Sequence, residues 1–183
     1  GVPPDPGYEG FSGTAGQGND ARDLHAIRKA TLWGNLMAGG AGVEYYFGYQ
    51  LPASDLNCED FRSRDRSWDY CRIALEFFQA HKVPFWEMQN ANALIGNTKN
   101  DNSKYCLAKP GSVYVVYLPK GGTTNLDLGT TAGTYSVTWY NPRTGGALLP
   151  GSVATVSAPG VRSLGTPPSD AQEDWVALIR QGR

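Results

Sequence analysis

The stretch Val83-Pro84-Phe85-Trp86-Glu87-Met88 divides this sequence of 183 residues into two parts with different periodicities. Before it, apolar residues recur about every 3.6 positions, which predicts amphipathic helices. After it, apolar residues alternate in short runs between Gly and Pro turns, which predicts strands. Proline ends the helical pattern because it lacks an amide hydrogen and clashes with the preceding turn. The sequence therefore predicts an α+β fold with two domains, at residues 1–91 and 92–183.

The first part predicts a loop followed by two helices that flank one strand. Residues 1–18 are dense in Pro and Gly and predict the loop. We expect one helix from Asn19 or Asp20 to Ala38, in which Gly34 allows close packing on a sheet. The strand is expected at residues 42–48 and the second helix at residues 65–82. Since a lone strand leaves both sheet edges unpaired, this part is predicted to belong to a larger α/β domain.

The second part predicts an antiparallel β-sandwich. Strands are expected at about residues 105–109, 113–119, 124–128, 134–140, 146–149, 153–157 and 174–180. Alternation within 134–140 places Tyr135, Val137 and Trp139 in the core and leaves Tyr140 as the surface candidate. We also expect the two domains to pack together through a large apolar contact that contains Phe85, Trp86 and Leu94.

Charge and cysteine usage exclude several classes of function. A net charge of -1 with a pI near 6.1 gives no basic face, so nucleic acid is not an expected partner. No apolar run approaches the ~18 residues of a membrane span. Cys58, Cys71 and Cys106 lack the spacing of a zinc site, so we expect no metal and no cofactor. One disulfide with a leftover thiol and three buried thiols both remain open.

Several segments together resemble a known domain. They are residues 105–119, Leu126-Asp127-Leu128, the turn Trp139-Tyr140-Asn141-Pro142-Arg143-Thr144-Gly145, and Asp174-Trp175-Val176 near the end. This pattern resembles the β-sandwich that follows the (β/α)8 barrel of apiosidase-like glycoside hydrolases, a domain described as collagen-binding. Residues 28–33 and 36–48 resemble the last helix–strand–helix of that barrel. The resemblance thus implies a helix–strand–helix remnant of a barrel followed by an antiparallel sandwich.

The resemblance also implies where the chemistry of the parent protein lies. Barrel hydrolases of this kind use two carboxylates at the carboxyl ends of the middle and second-to-last strands. We expect this chain to hold only the last barrel strand, so both catalytic carboxylates would lie upstream of Gly1 and the chain alone would be inactive. The alternative that the predicted loop at residues 1–18 itself holds a catalytic carboxylate stays open. Asp5 and the pair Tyr8-Glu9 match the spacing of an acidic residue near a Tyr-Glu pair in the family.

Four residues are candidates for substrate binding. Glu9 lies in the predicted loop, and Glu44, Tyr46 and Tyr49 lie on or just after the predicted last barrel strand. A carboxylate there can orient a sugar hydroxyl, or it can pair with an arginine inside the barrel. The tyrosine rings can stack on a sugar face, or they can serve as ordinary packing residues. A polysaccharide or oligosaccharide and the remainder of the barrel are therefore the expected partners.

The role of the sandwich has three alternatives. Structural support of the barrel ranks first, carbohydrate binding through exposed aromatic residues second, and collagen binding third. Ten Tyr, five Trp and 23 Gly with few Lys fit an extracellular carbohydrate-active or adhesive protein. We therefore expect a location outside the cell or in the cell envelope, and a secreted glycoside hydrolase as the parent.

Overall fold

A computed structural model describes residues 27–44, 49–50, 53–54 and 65–182 of the chain. The helical elements are a π-helix (Ile27–Trp33) that continues into α1 (Gly34–Met37), α2 (Asp65–Ala80), and two 3₁₀ turns (Phe85–Glu87 and Asn92–Ile95). The strands are β1 (Tyr49–Gln50), β2 (Ala53–Ser54), β3 (Gln89–Asn90), β4 (Tyr105–Lys109), β5 (Val113–Leu118), β6 (Asn125–Asp127), β7 (Gly133–Tyr140), β8 (Thr155–Ala158), β9 (Val161–Ser163) and β10 (Trp175–Gln181). The predicted α+β class is confirmed.

The centre of the fold is a six-stranded antiparallel sheet with the order β3-β4-β5-β10-β7-β8. Strand β10 lies in its middle and pairs with β5 on one side and β7 on the other, with Trp175 opposite Leu118 and Val176 opposite Tyr140. The run Trp175–Ile179 is apolar at every position because both faces of this central strand are covered.

Alternate residues of the strands enter two separate cores. Tyr114, Val116 and Leu118 of β5 face a core that the small two-stranded sheet β6–β9 closes. Val113, Val115 and Tyr117 face a second core, on the side of the helices. Because successive side chains of a strand point to opposite faces, a single strand contributes to both hydrophobic clusters. The antiparallel sandwich that the sequence predicts is confirmed by this arrangement.

The helices form a layer against the second core. The Trp33 ring stacks on Tyr117 with a centroid distance of 5.5 Å, and Phe77 of α2 contacts Tyr140 at 5.0 Å. A Cβ atom added at Gly34 would lie 3.0 Å from the hydroxyl oxygen of Tyr105, so glycine does allow the close approach of α1 to β4. Aromatic packing of this density is typical of an interior rather than of a transient contact.

Several predicted boundaries agree with the structure. Helix α2 begins at residue 65 and ends two residues before the predicted end, and β4 matches its predicted bounds. The predicted strand at residues 146–149 is wrong, because Leu149 forms only one isolated bridge, with Trp139. Gly145 and Gly146 both adopt positive φ angles there, which interrupts an extended backbone. Strands β3 and β9 were not predicted.

The predicted barrel strand at residues 42–48 is not found in the part that is described. Residues 42–44 are outside any strand, while residues 45–48 lie outside the described residues, as do the predicted loop 1–18 and the start of the first helix. The side-chain amide of Asn35 donates a hydrogen bond of 2.8 Å to the carbonyl of Gly42. The carbonyl oxygen of Gly42 thus accepts its hydrogen bond from a side chain of α1 rather than from a neighbouring strand.

The predicted packing contact through Phe85 and Trp86 is also wrong for the described residues. Phe85 is 54% exposed and Trp86 is 71% exposed, because the 3₁₀ turn that carries them lies at the edge of the helical layer. Leu94 does pack, but in the core on the opposite face of the sheet. The contact between helices and sheet is made instead by residues such as Trp33 and Phe77, both completely buried.

Candidate functional site

A buried ion pair joins the helical layer to the central sheet. Arg28 lies on the π-helix, and Asp174 lies directly before β10. The Arg28 Nε donates to Asp174 Oδ2 at 2.8 Å and its Nη2 donates to Oδ1 at 2.7 Å, and both side chains are fully buried. Such a bidentate guanidinium–carboxylate geometry fixes orientation as well as distance.

Two aromatic side chains complete this site. The Tyr117 hydroxyl of β5 donates a hydrogen bond of 3.0 Å to Asp174 Oδ2, so the carboxylate accepts three hydrogen bonds. The guanidinium of Arg28 lies over the ring of Tyr70 of α2, 4.8 Å from its centroid. Four elements therefore meet at one point: the π-helix, α2, β5 and the start of β10.

The electrostatics of the site keep its charge state fixed. Burial alone would lower the pKa of Arg28, but the hydrogen bonds and charge of Asp174 outweigh it and raise the pKa. Burial, followed by the negative charge of Asp174, raises the pKa of Tyr117 well above its ordinary value. Arg28 thus stays protonated and Tyr117 stays neutral. A closed pair with no solvent access is suited to holding two layers together rather than to proton transfer.

A second polar contact joins the layers through Tyr140. Its hydroxyl donates a hydrogen bond of 2.8 Å to the backbone carbonyl of Ile73 in α2, and the side chain is only 1% exposed. Burial raises the pKa of Tyr140 to about 12. The prediction that Tyr140 lies on a free binding face is therefore wrong, because the helices cover the face of β7 to which Tyr140 points.

Helix α2 is also held at its carboxyl end. The guanidinium of Arg180 on β10 donates to the carbonyl oxygens of His81 and of Lys82, the latter at 3.0 Å. These are carbonyls at the end of a helix, where no intrahelical partner remains. The final strand thus contacts the helical layer at both of its ends, through Asp174 and through Arg180.

The substrate-binding candidates are not brought together by the described residues. Glu44 is exposed and lies outside any strand, and Tyr49 belongs to the two-residue strand β1. Glu9 and Tyr46 lie outside the described residues. The roles assigned to these four residues stay predictions. The sequence did contain a signal for the site that was missed: Arg28 falls on an apolar helical face, and Asp174 precedes an uninterrupted apolar run.

A groove with a mixed polar and apolar lining lies on the other side of the sheet, with a volume of about 580 Å³. Its lining includes Lys104, Thr124, Asn125 and Asp127. The Lys104 ammonium donates to the Thr124 hydroxyl at 3.2 Å, and Asp127 accepts from the amide of Gly129 at 2.9 Å. Lys104, Thr124 and Asp127 are thus engaged with one another or with the nearby backbone.

The described part of the chain holds neither a cluster of metal-ligating side chains nor a helix that could cross a membrane. No three His, Cys, Asp or Glu side chains there converge at a distance suited to a metal ion. No helix there is long and apolar enough to cross a membrane.

The comparisons with known proteins agree with this architecture. Residues 90–180 match the family described as "Putative collagen-binding domain of a collagenase". Two solved structures share the fold over 86% of this chain: a glycoside hydrolase family 5 protein from Bacteroides vulgatus ATCC 8482, with a TM-score of 0.63 at 16% identity, and a protein named "Glycoside hydrolase", with a TM-score of 0.60 at 14% identity. No curated protein sequence matches the chain.

The family match and the two structures cover different parts of the chain. The family match covers the sandwich from β3 to β10, and at such low identities the two structures establish a common fold alone. The chain corresponds to 36% of the length of each of these structures. The matched region nevertheless extends well beyond the sandwich, so elements of the helical layer share the fold of these proteins as well.

Proposed function

We propose that this chain is part of a larger secreted glycoside hydrolase, and that its sheet supports helices of the catalytic barrel. The observation that carries this proposal is the Arg28–Asp174 pair, which closes a continuous apolar contact between the helices and the sheet. Contacts of this kind are typical of permanent rather than transient interfaces. The likeness to two glycoside hydrolases supports the assignment of the parent class.

The catalytic carboxylates in this proposal come from the rest of the protein. Glycoside hydrolysis needs two carboxyl groups placed on either side of the scissile bond. The Asp174 carboxylate is committed to Arg28 and Tyr117 and has no access to a substrate. We therefore expect no turnover of aryl glycosides by the 183-residue chain alone, and hydrolysis by the full-length protein.

The experiment that tests the supporting role uses the full-length protein with Asp174→Asn and a matched control, Asp170→Asn. Asp170 is an exposed carboxylate only four positions away, at 3.6 Å from Arg143. We measure hydrolysis of aryl glycosides, xylan and pectin, and the half-life of that activity at elevated temperature. The expected result is a shorter half-life for Asp174→Asn and an unchanged one for Asp170→Asn.

Two results would contradict the proposal in different ways. If the full-length protein hydrolyses no glycoside, the parent is not a glycoside hydrolase. If Asp174→Asn lowers the melting temperature of the sandwich while the half-life of hydrolysis is unchanged, the sandwich folds independently and does not stabilise the catalytic barrel.

Collagen binding is an alternative that only the description of the matched family favours. Three tyrosine side chains of the sandwich, Tyr114, Tyr117 and Tyr140, are buried in the structure and offer no binding face. We expect no retention of the protein on immobilised collagen. Retention that persists at physiological salt would place collagen binding ahead of structural support.

A further inference from the structure

Trp86 presents a large aromatic ring to solvent at the edge of the helical layer. It is 71% exposed, and the neighbouring Phe85 is 54% exposed. Both residues belong to the 3₁₀ turn between α2 and β3. Exposed apolar groups that cluster in this way, rather than lying scattered, are typical of binding surfaces.

The Trp86 ring is held in position by a series of ring contacts that starts in the core. Trp33 is completely buried and stacks on Phe78 at 6.2 Å, and Phe78 meets Phe85 edge-to-face at 5.8 Å. Phe85 in turn meets Trp86 edge-to-face at 5.4 Å. The entropy of ordering the ring is therefore lost during folding rather than on binding, which favours affinity.

A charged pair lies directly beside this ring. The ammonium group of Lys109 on β4 donates a hydrogen bond to the Glu87 carboxylate, and both side chains are about half exposed. This hydrogen bond, the charge of Lys109 and, to a smaller extent, the side chain of Trp86 lower the pKa of Glu87. An ionised acceptor and a cationic donor thus flank the flat aromatic surface.

We propose that Trp86, with Glu87 and Lys109 beside it, is a binding site for a pyranose ring of a polysaccharide. One face of a pyranose carries C–H groups with partial positive charge, which suit the negative face of an aromatic ring. Its hydroxyl groups project at the edge, where Glu87 can accept and Lys109 can donate hydrogen bonds. The choice of a saccharide as the ligand class rests on the proposed function. The geometry of the site is independent of that function.

The charged pair favours a saccharide over an apolar protein surface at this position. A protein that covered Trp86 would also remove Glu87 and Lys109 from water, and desolvation of a charged pair is costly. The hydroxyl groups of a saccharide can replace the water molecules around both charges. The ligand is therefore one that combines an apolar face with a rim of hydroxyl groups.

The test is affinity electrophoresis of the full-length protein in gels that contain soluble xylan, mixed-linkage β-glucan or pectin. Four variants are compared with the wild type: Trp86→Ala, Trp86→Tyr, Trp86→Leu, and Trp68→Ala as the matched control. Trp68 is another exposed tryptophan of the helical layer, at 40% exposure. The same preparations are assayed for glycoside hydrolysis.

At least one polysaccharide is expected to retard the wild type. Trp86→Ala and Trp86→Leu should weaken retention by about tenfold or more, a loss equivalent to about 1.4 kcal/mol. Trp86→Tyr should keep part of it because a flat ring remains, and Trp68→Ala should have no effect. Retention of Trp86→Leu equal to that of the wild type, or no retardation of the wild type by any of the polysaccharides, would overturn this proposal. Retention without hydrolysis would instead contradict the proposed function.

Discussion

Asp174 joins the sheet to the helical layer through a fully buried carboxylate. Its carboxylate accepts two hydrogen bonds from Arg28 and one from Tyr117. Removing two ions from water is costly, and here these three charge-assisted hydrogen bonds offset part of that cost. Loss of the Asp174 carboxylate removes two hydrogen bonds and a charge–charge attraction from the buried guanidinium of Arg28.

We expect Asp174→Asn to lower the free energy of unfolding by about 3–5 kcal/mol, because the buried guanidinium of Arg28 keeps its charge and loses its bidentate carboxylate partner. The measurement is urea denaturation followed by tryptophan fluorescence. The double variant Arg28→Met with Asp174→Leu should recover most of this loss, since an apolar pair needs no compensation. A loss under about 1 kcal/mol for the single variant would show that the pair is exposed in solution.

The raised pKa of Tyr140 leads us to predict a specific pH dependence of the free energy of unfolding. Its pKa of about 12 in the fold exceeds the ordinary value of 10.0, so the folded state holds the proton more tightly than the unfolded state does. This contribution is fully present below pH 10 and is lost as pH rises from 10 to about 12. Tyr140→Phe should cost about 1 kcal/mol at pH 7 through the lost hydrogen bond to Ile73 and should show a shallower decline above pH 10. If the free energy of unfolding falls equally in the wild type and in Tyr140→Phe above pH 10, Tyr140 is not the group that causes the decline.

At the scale of elements, two turns hold the ends of β5 and β10 together. The amide of Gly122, just after β5, donates a hydrogen bond of 2.7 Å to the carbonyl of Ala171, just before β10. A Cβ atom at Gly121 would lie 2.3 Å from that same carbonyl oxygen, whereas one at Gly122 would meet nothing within 4 Å. The backbones thus approach each other more closely than any side chain would permit.

The two glycines form a matched pair for a stability measurement. Both have positive φ angles, 64° and 80°, so alanine carries a similar conformational cost of about 1 kcal/mol at either position. Gly121→Ala should cost roughly 1–3 kcal/mol more than Gly122→Ala, because the clash is with backbone atoms that cannot rotate away. Thermal unfolding of both variants checks this, and equal losses would show that the turns do not touch.

At the scale of the whole molecule, the helical layer and the sheet share one hydrophobic cluster. Trp33, Met37 and Phe77 from the helices and Val115, Tyr117 and Leu178 from the strands all belong to it. Neither layer can lose this contact without exposing an apolar face to water. The division at residues 91 and 92 stays a prediction, and residues from both sides of it contribute to this one cluster.

This continuity predicts that the helices and the sheet unfold together. We expect Phe77→Ala to cost about 3–5 kcal/mol and to lower the midpoint of both the helical circular dichroism signal and the tryptophan fluorescence by the same amount. Leu75 lies on the same helix but is 60% exposed. Leu75→Ala should change the free energy of unfolding by no more than about 0.5 kcal/mol, whichever of the two signals is followed. Two separate transitions in the wild type would show instead that the layers are independent.

The local pattern of the sequence determined the elements whose periodicity is strong. Helix α2 could be predicted because its apolar spacing is helical and Pro84 follows it. Strands β4, β5, β7 and β10 could be predicted because their apolar runs are short and bounded by turn residues. These signals depend only on neighbours in the chain, which is why a single sequence contains them.

Only the tertiary structure decided which faces are covered and which residues meet. Alternation separates Trp139 from Tyr140 but does not reveal that helices cover the second face of β7 as well. The Arg28–Asp174 pair joins residues that are 146 positions apart, and no local pattern encodes such a contact. Similarly, Phe85 and Trp86 have the composition of a buried segment but lie on the surface. Burial is a property of the whole packed molecule, whereas periodicity belongs to the chain.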